Sequence, residues 1–251
     1  MRDGPRTPVS SRPASRAADS AGPRRFSRAA SACIARSFAW SRTGRHSTRS
    51  ERSGRRCASR SKPYPCCHYN HAYLDCALAL GLEHRIEPDA IEGIECLVPA
   101  GEVPIVCEPR ESKLRPRSPY DAQFSLAYSV AAALVDGGIG LDTYAKDRIR
   151  DERTLALAAR VQHTVDPASR FPDGFPGWVR VRLRDGRLLE AREPDGRGSA
   201  VRPLEPGAIV AKFHDNARRA LPLDRVAAVE KAALSLDSLD NVGTLLAACR
   251  A

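Results

Sequence analysis

From residue 62 onward the apolar and polar positions of this chain recur with regular periods. "HAYLDCALALGLEH" (71–84) sets apolar residues at helical spacing and reaches a breaker at Gly81, which predicts a helix. "IEGIECLVP" (91–99) alternates as a half-buried strand ended by Pro99, and "EVPIVCEP" (102–109) reads as a second short strand. A polar, proline-broken loop, "RESKLRPRSP", follows. The strongest helical signal is "SPYDAQFSLAYSVAAALVDGG" (118–138), where Ser118 suits a cap, Pro119 the first turn and Gly137-Gly138 the stop. Its centre, "LAYSVAAAL", is apolar on nearly every side, so it is predicted to be buried.

A helix over "DERTLALAARV" (151–161) leads into the strand "VQHTVD". "WVRVRLRDGRLLEARE" (178–193) is a β-hairpin, with Asp185-Gly186 as the turn between alternating flanks. Three C-terminal helices follow, over "GAIVAKFHDNARRAL", "PLDRVAAVEKAALSL" and "SLDNVGTLLAACR". Helices mixed with strands and no regular βαβ repeat predict an α+β domain over residues 62–251, a small mostly antiparallel sheet with packed helices.

Residues 1–61 carry no lasting period, and Arg, Ser, Ala, Pro and Gly dominate them, so they are expected to be disordered. Residues 1–60 hold 15 Arg, no Lys and three acids, a net of +12, whereas the rest of the chain nets −2. The overall +10 therefore belongs to this segment and is no nucleic-acid signal for the domain. Three readings of the segment stay open: a transit peptide lacking a clear amphipathic helix, a nucleic-acid arm with an odd absence of lysine, and GC-rich coding DNA translated out of frame. The vocabulary favours the last.

Eight cysteines without a signal peptide read as free, mostly buried thiols of a reducing cytoplasm. No apolar run is long enough for a membrane span. The densest chemistry lies in "KPYPCCHYNHAYLD" (62–75). Cys66, Cys67, His68, His71 and Cys76 do not match paired zinc-ligand spacing, and a Cys66 or Cys67 nucleophile paired with His71 lacks an orienting third group. No phosphate-binding glycine loop is present. The hairpin arginines of "VRVRLRDGR" read as the solvated side of a strand.

"KPYPCCHYNHAYLDCAL", then "YDAQFSLAYSVAAALVDGGIGLDTY", then "VRVRLRDGR", in this order, resemble the C-terminal domain of the MmgE/PrpD family, the 2-methylcitrate dehydratase-like proteins. The resemblance implies an α+β lid on a larger helical domain, an active site between the two, and a homodimer as the working unit. It also implies action on small di- or tricarboxylates by proton abstraction and loss of water or carbon dioxide, with no metal and no other cofactor. By position, Lys62 stands where the family places an active-site lysine and His71 closes the same motif, while His68 departs from an expected arginine. Tyr128 and Gln123, on the central helix, are read as core packing with a satisfied polar tip. What precedes Lys62 does not read as a helical domain, so the chain by itself is expected to be inactive. The alternative is a non-catalytic remnant or dimerisation module.

Overall fold

The computed structural model describes residues 61–250, and the expectations for the Arg-rich segment lie outside them. Four strands form one sheet: β1 (Ile91–Val98), β2 (Val161–Val165), β3 (Gly177–Leu183) and β4 (Leu188–Glu193), in the order β2-β1-β3-β4. β1 runs parallel to β2, with Ile94 opposite Val161, and antiparallel to β3, with Ile94 opposite Val181. The hairpin β3–β4 turns at Gly186, whose φ of 89° is open to glycine. The α+β expectation holds, with one parallel pair in the sheet.

Alternation decides what the sheet covers. Ile91, Ile94, Cys96 and Val98 of β1 and Val179, Val181 and Leu183 of β3 all face the core. The other face is charged: Arg180 pairs with Glu95 at 3.3 Å and Glu190 at 2.7 Å, and its guanidinium lies 4.5 Å from the centre of the Trp178 ring. The arginine stripe is thus the solvated side of the hairpin.

Helix α1 (His71–His84) packs on β3 and β4. Its first turn lies so close to β3 that a Cβ at Gly177 would stand 2.5 Å from the Ala72 carbonyl carbon, so only glycine allows the approach. The first half of α1 is enclosed on all sides, Tyr73, Leu74 and Cys76 being wholly buried. Truncating Leu74 to Ala would cost about 2–5 kcal/mol.

Two short elements depart from the sequence reading. The segment expected as a second strand instead forms helix α2 (Val103–Val106). Pro104 has no N–H for a ladder and its fixed φ suits a first helical turn, which Ile105 N closes on Glu102 O at 3.0 Å. The expected loop contains helix α3 (Arg110–Leu114).

The long helix over 118–138 is two helices, α4 (Pro119–Gln123) and α5 (Leu126–Asp136). Ser118 caps α4 by accepting from Asp121 N at 3.1 Å, and Ser125 caps α5 by accepting from Tyr128 N at 3.0 Å. The Ser125 hydroxyl also donates to Lys113 O at 2.6 Å. A buried serine that can satisfy the backbone locally breaks a run that hydrophobicity alone would continue. The centre of α5 is buried as expected, and it packs on α1 and on α6 (Glu152–Ala158).

The C-terminal helices are α7 (Pro206–Ala217), α8 (Leu223–Leu234) and α9 (Gly243–Ala248). α7 buries none of its residues, and its His214 meets Glu230 of α8 at 2.7 Å. No helix among the described residues is long and apolar enough to cross a membrane.

Candidate active site

The residues expected to carry chemistry lie on the entry to α1. Residues 61–67 run across the start of that helix, and a 3₁₀ turn, His68–Asn70, joins the two. Asn70 is buried and fastens the turn to α5: its Nδ2 donates to the Gln123 carbonyl at 3.3 Å, the Ser125 carbonyl at 3.4 Å and the Ser129 hydroxyl at 3.3 Å. Cys67 N donates to the Gln123 carbonyl at 2.9 Å. Gln123 sits half-buried at the end of α4 and its backbone does this work, so it is not a residue of the central helix. Tyr128 is buried with its hydroxyl donating to Thr143 O at 2.7 Å, the satisfied core tyrosine expected from the sequence.

Lys62 is exposed, and its ammonium donates to Cys66 O at 3.3 Å. The Lys212 ammonium, from α7, donates to the Lys62 carbonyl. His71 is wholly buried at the first position of α1. The Tyr64 ring meets it edge-on at 5.4 Å between centroids, and the His68 ring lies 5.1 Å away. Neither imidazole nitrogen makes a hydrogen bond of good geometry among the described residues, although the Cys66 backbone lies close enough to favour the protonated ring. Burial first, then the charge of His68, pushes the imidazole down to about 3, so His71 is neutral at physiological pH.

A wall of aromatic rings stands over the turn. Tyr69 stacks on Phe175 at 5.7 Å and meets Phe171 edge-on at 5.7 Å, and His68 contacts Phe175 at 4.8 Å. Below the turn lies a polar network that sequence reasoning did not single out. Asp75, 6% exposed, accepts from the Tyr64 hydroxyl at 2.7 Å, from Arg197 Nε at 2.8 Å and from Arg197 N at 2.9 Å. Arg197 Nη2 also donates to the Tyr64 hydroxyl at 2.5 Å. Burial, then the charge of Asp75, holds the phenol well above its ordinary range. Tyr64 and Asp75 belong to the dense stretch itself, whereas Arg197 is 122 residues from Asp75 and no local pattern marks it.

The thiols offer no nucleophile here. Burial pushes Cys66 up to about 12 and raises Cys67, and neither hydrogen-bonds to a ring nitrogen of His71. The described cysteines are all free, and all but Cys249 are buried. No three His, Cys, Asp or Glu side chains among the described residues come together in an arrangement that could hold a metal ion.

An exposed lysine ahead of the half-buried turn and a wholly buried, neutral imidazole just after it are suited to holding an anion and to meeting its polar groups with little competition from water. The model of the MmgE/PrpD C-terminal domain matches residues 64–238, beginning two residues after Lys62 and including His71. The chain is 26% identical to "Cis-aconitate decarboxylase" of Homo sapiens over 136 residues, 52% of this chain and 27% of that protein. It is 25% identical to the Mus musculus protein of the same name over 193 residues, 73% of this chain and 38% of that protein. The chain thus spans less than two-fifths of the length of either relative. With the match extending over more than half of its residues, this chain belongs to the MmgE/PrpD family, through that family's C-terminal domain.

Proposed function

We propose that this domain is the lid half of a lyase that acts on small di- or tricarboxylates. Eliminating water or carbon dioxide from such a substrate needs a cation to hold carboxylate, a group to take a carbon-bound proton and a donor for the developing charge. Lys62 serves as the cation. His71 serves as the proton-transfer or hydrogen-bonding group.

The observation that carries the reading is the imidazole: a wholly buried ring with only the Cys66 backbone near to meet its nitrogens is expensive, about 1–3 kcal/mol per unsatisfied group, and substrate polar atoms would answer it. Its depressed basicity fits a closed, ligand-free arrangement, because a carboxylate brought alongside favours the protonated form. The similarity to two proteins named cis-aconitate decarboxylase supports lyase chemistry. 2-Methylcitrate dehydration, a place in propionate catabolism, a homodimeric working unit and a cytoplasmic location belong to the same proposal. The domain alone encloses no substrate, so it is inactive until a helical partner domain completes the cleft.

The test is to join residues 62–250 to the remaining length of the human relative and to assay cis-aconitate and 2-methylcitrate. Lys62→Met in that chimera should lower kcat/KM at least about tenfold, and His71→Asn should flatten one limb of its pH profile. Wild-type kinetics from a folded Lys62→Met chimera would return Lys62 to an ordinary surface lysine.

A further inference from the structure

Arg197 touches neither proposed reacting group, yet it ends the network beneath both. It follows β4, in a loop whose Gly196 packs within 3.4 Å of the His71 Cβ, measured from the position a Cβ on that glycine would take. Gly198 of the same loop accepts from Ser61 N at 2.8 Å, so the loop also holds the chain beside Lys62. The Arg197 backbone and side chain together make three hydrogen bonds to Asp75 and the Tyr64 hydroxyl besides the one that Tyr64 itself gives Asp75. Tyr64 is thereby fixed at its hydroxyl, and its ring is the aromatic edge that closes on His71.

We infer that Arg197 is the positioning residue of this site: acting through Asp75 and Tyr64, it holds the Tyr64 ring against His71 and keeps water from the imidazole. The inference rests on His71 being the reacting group only for its bearing on catalysis, since the contact itself is testable without turnover.

Tyr64 is 5% exposed, and its hydroxyl is shared between a carboxylate and a guanidinium, so the ring cannot swing without breaking charge-assisted hydrogen bonds. Asp75 lies four residues after His71, one turn further along the same helix, so the anchor and the imidazole share a rigid frame. The groups that face His71 are Tyr64, Lys62 and the Cys66 backbone from the entry segment, His68 from the 3₁₀ turn and Asp75 from its own helix. Burial is the largest influence on the imidazole, and the Tyr64 ring, 5.4 Å from it between centroids, is part of what encloses it.

The experiment is an NMR titration of the histidine ring protons of the whole chain between pH 8 and 4.5, with His71 assigned from a His71→Asn sample. In the wild type the His71 signal should stay at its neutral position throughout. Arg197→Ala should bring its midpoint up into the titrated range, above about pH 4.5 and toward the ordinary imidazole value, as water reaches the ring. Tyr64→Ala should do the same. The double variant should shift no further than Tyr64→Ala alone, because the arginine acts through the tyrosine. Arg197→Lys, which keeps a charge for Asp75 but not the bridge to Tyr64, should fall between, and it serves as the readout if the alanine variant does not fold. A cooperative, folded Arg197→Ala or Arg197→Lys protein whose His71 signal stays at the wild-type position would overturn the inference and leave Arg197 as a stabilising contact. That outcome would leave the lyase reading standing, since the chimera assay judges it separately.

Discussion

Asp75 and Glu102 are both buried carboxyl side chains, 6% and 0% exposed, on opposite sides of β1 in the sequence. The protein surrounds the first with donors: a tyrosine hydroxyl, a guanidinium and a backbone N–H. The second has none among the described residues, neither of its carboxyl oxygens finding a partner. Glu102's backbone is well used, accepting from Ile105 N at 3.0 Å and Val106 N at 3.1 Å to start α2, but its side chain is enclosed near Tyr73, Cys67 and Cys107. Burial alone pushes that carboxyl up to about 8, so it is held as a neutral acid at neutral pH. The difference separates two uses of a buried carboxyl. Asp75 ties three segments of chain into one frame beneath the candidate active site, while Glu102 makes the β1–α2 corner sensitive to pH.

The largest effect should come from breaking the satisfied network. Asp75→Ala leaves Arg197 and Tyr64 partly buried without their acceptor and should cost about 3–5 kcal/mol, read as a lower urea midpoint at unchanged slope. Glu102 comes next, with the opposite sign. The folded state keeps its proton up to about pH 8 whereas the unfolded chain gives it up near the ordinary carboxylate value, so stability from this site is full at acid pH and is lost as pH rises through about 8. Glu102→Gln should match the wild type near pH 4.5 and exceed it by a few kcal/mol at pH 9, flattening the profile in urea melts at several pH values. Equal slopes in the two proteins would show that the Glu102 carboxyl is solvated or paired. Ser125→Ala should have the smallest effect, about 1 kcal/mol, from loss of the α5 cap, seen as a lower thermal midpoint.

How much of this was legible in the sequence follows from the range of each signal. The hairpin, the buried centre of α5 and the strand β1 rest on periodicity within a few residues, and they stand where the pattern put them. The 118–138 helix was overextended because Ser125 looks like a tolerated interruption until its hydroxyl is seen capping α5 and reaching Lys113 O. The 102–109 strand failed because β-branched residues outvoted Pro104. Lys62 and His71 were identified on family resemblance, and the structure adds what spacing cannot give, that His71 is wholly buried. Arg197 and Glu102 were missed for one reason: their roles depend on what lies across the fold from them.

The central claim is that Lys62 and His71 form a carboxylate-holding site, and the chain's five lysines make it directly measurable. Methylating them with ¹³C-formaldehyde gives one NMR signal pair for each of Lys62, Lys113, Lys146, Lys212 and Lys231, assigned by single Lys→Arg variants. Titration with citrate or cis-aconitate should shift the Lys62 signal saturably and well ahead of Lys146 and Lys231, and His71→Asn should weaken that response. A Lys62 signal that does not move, or that moves no more than the other four, would contradict the account.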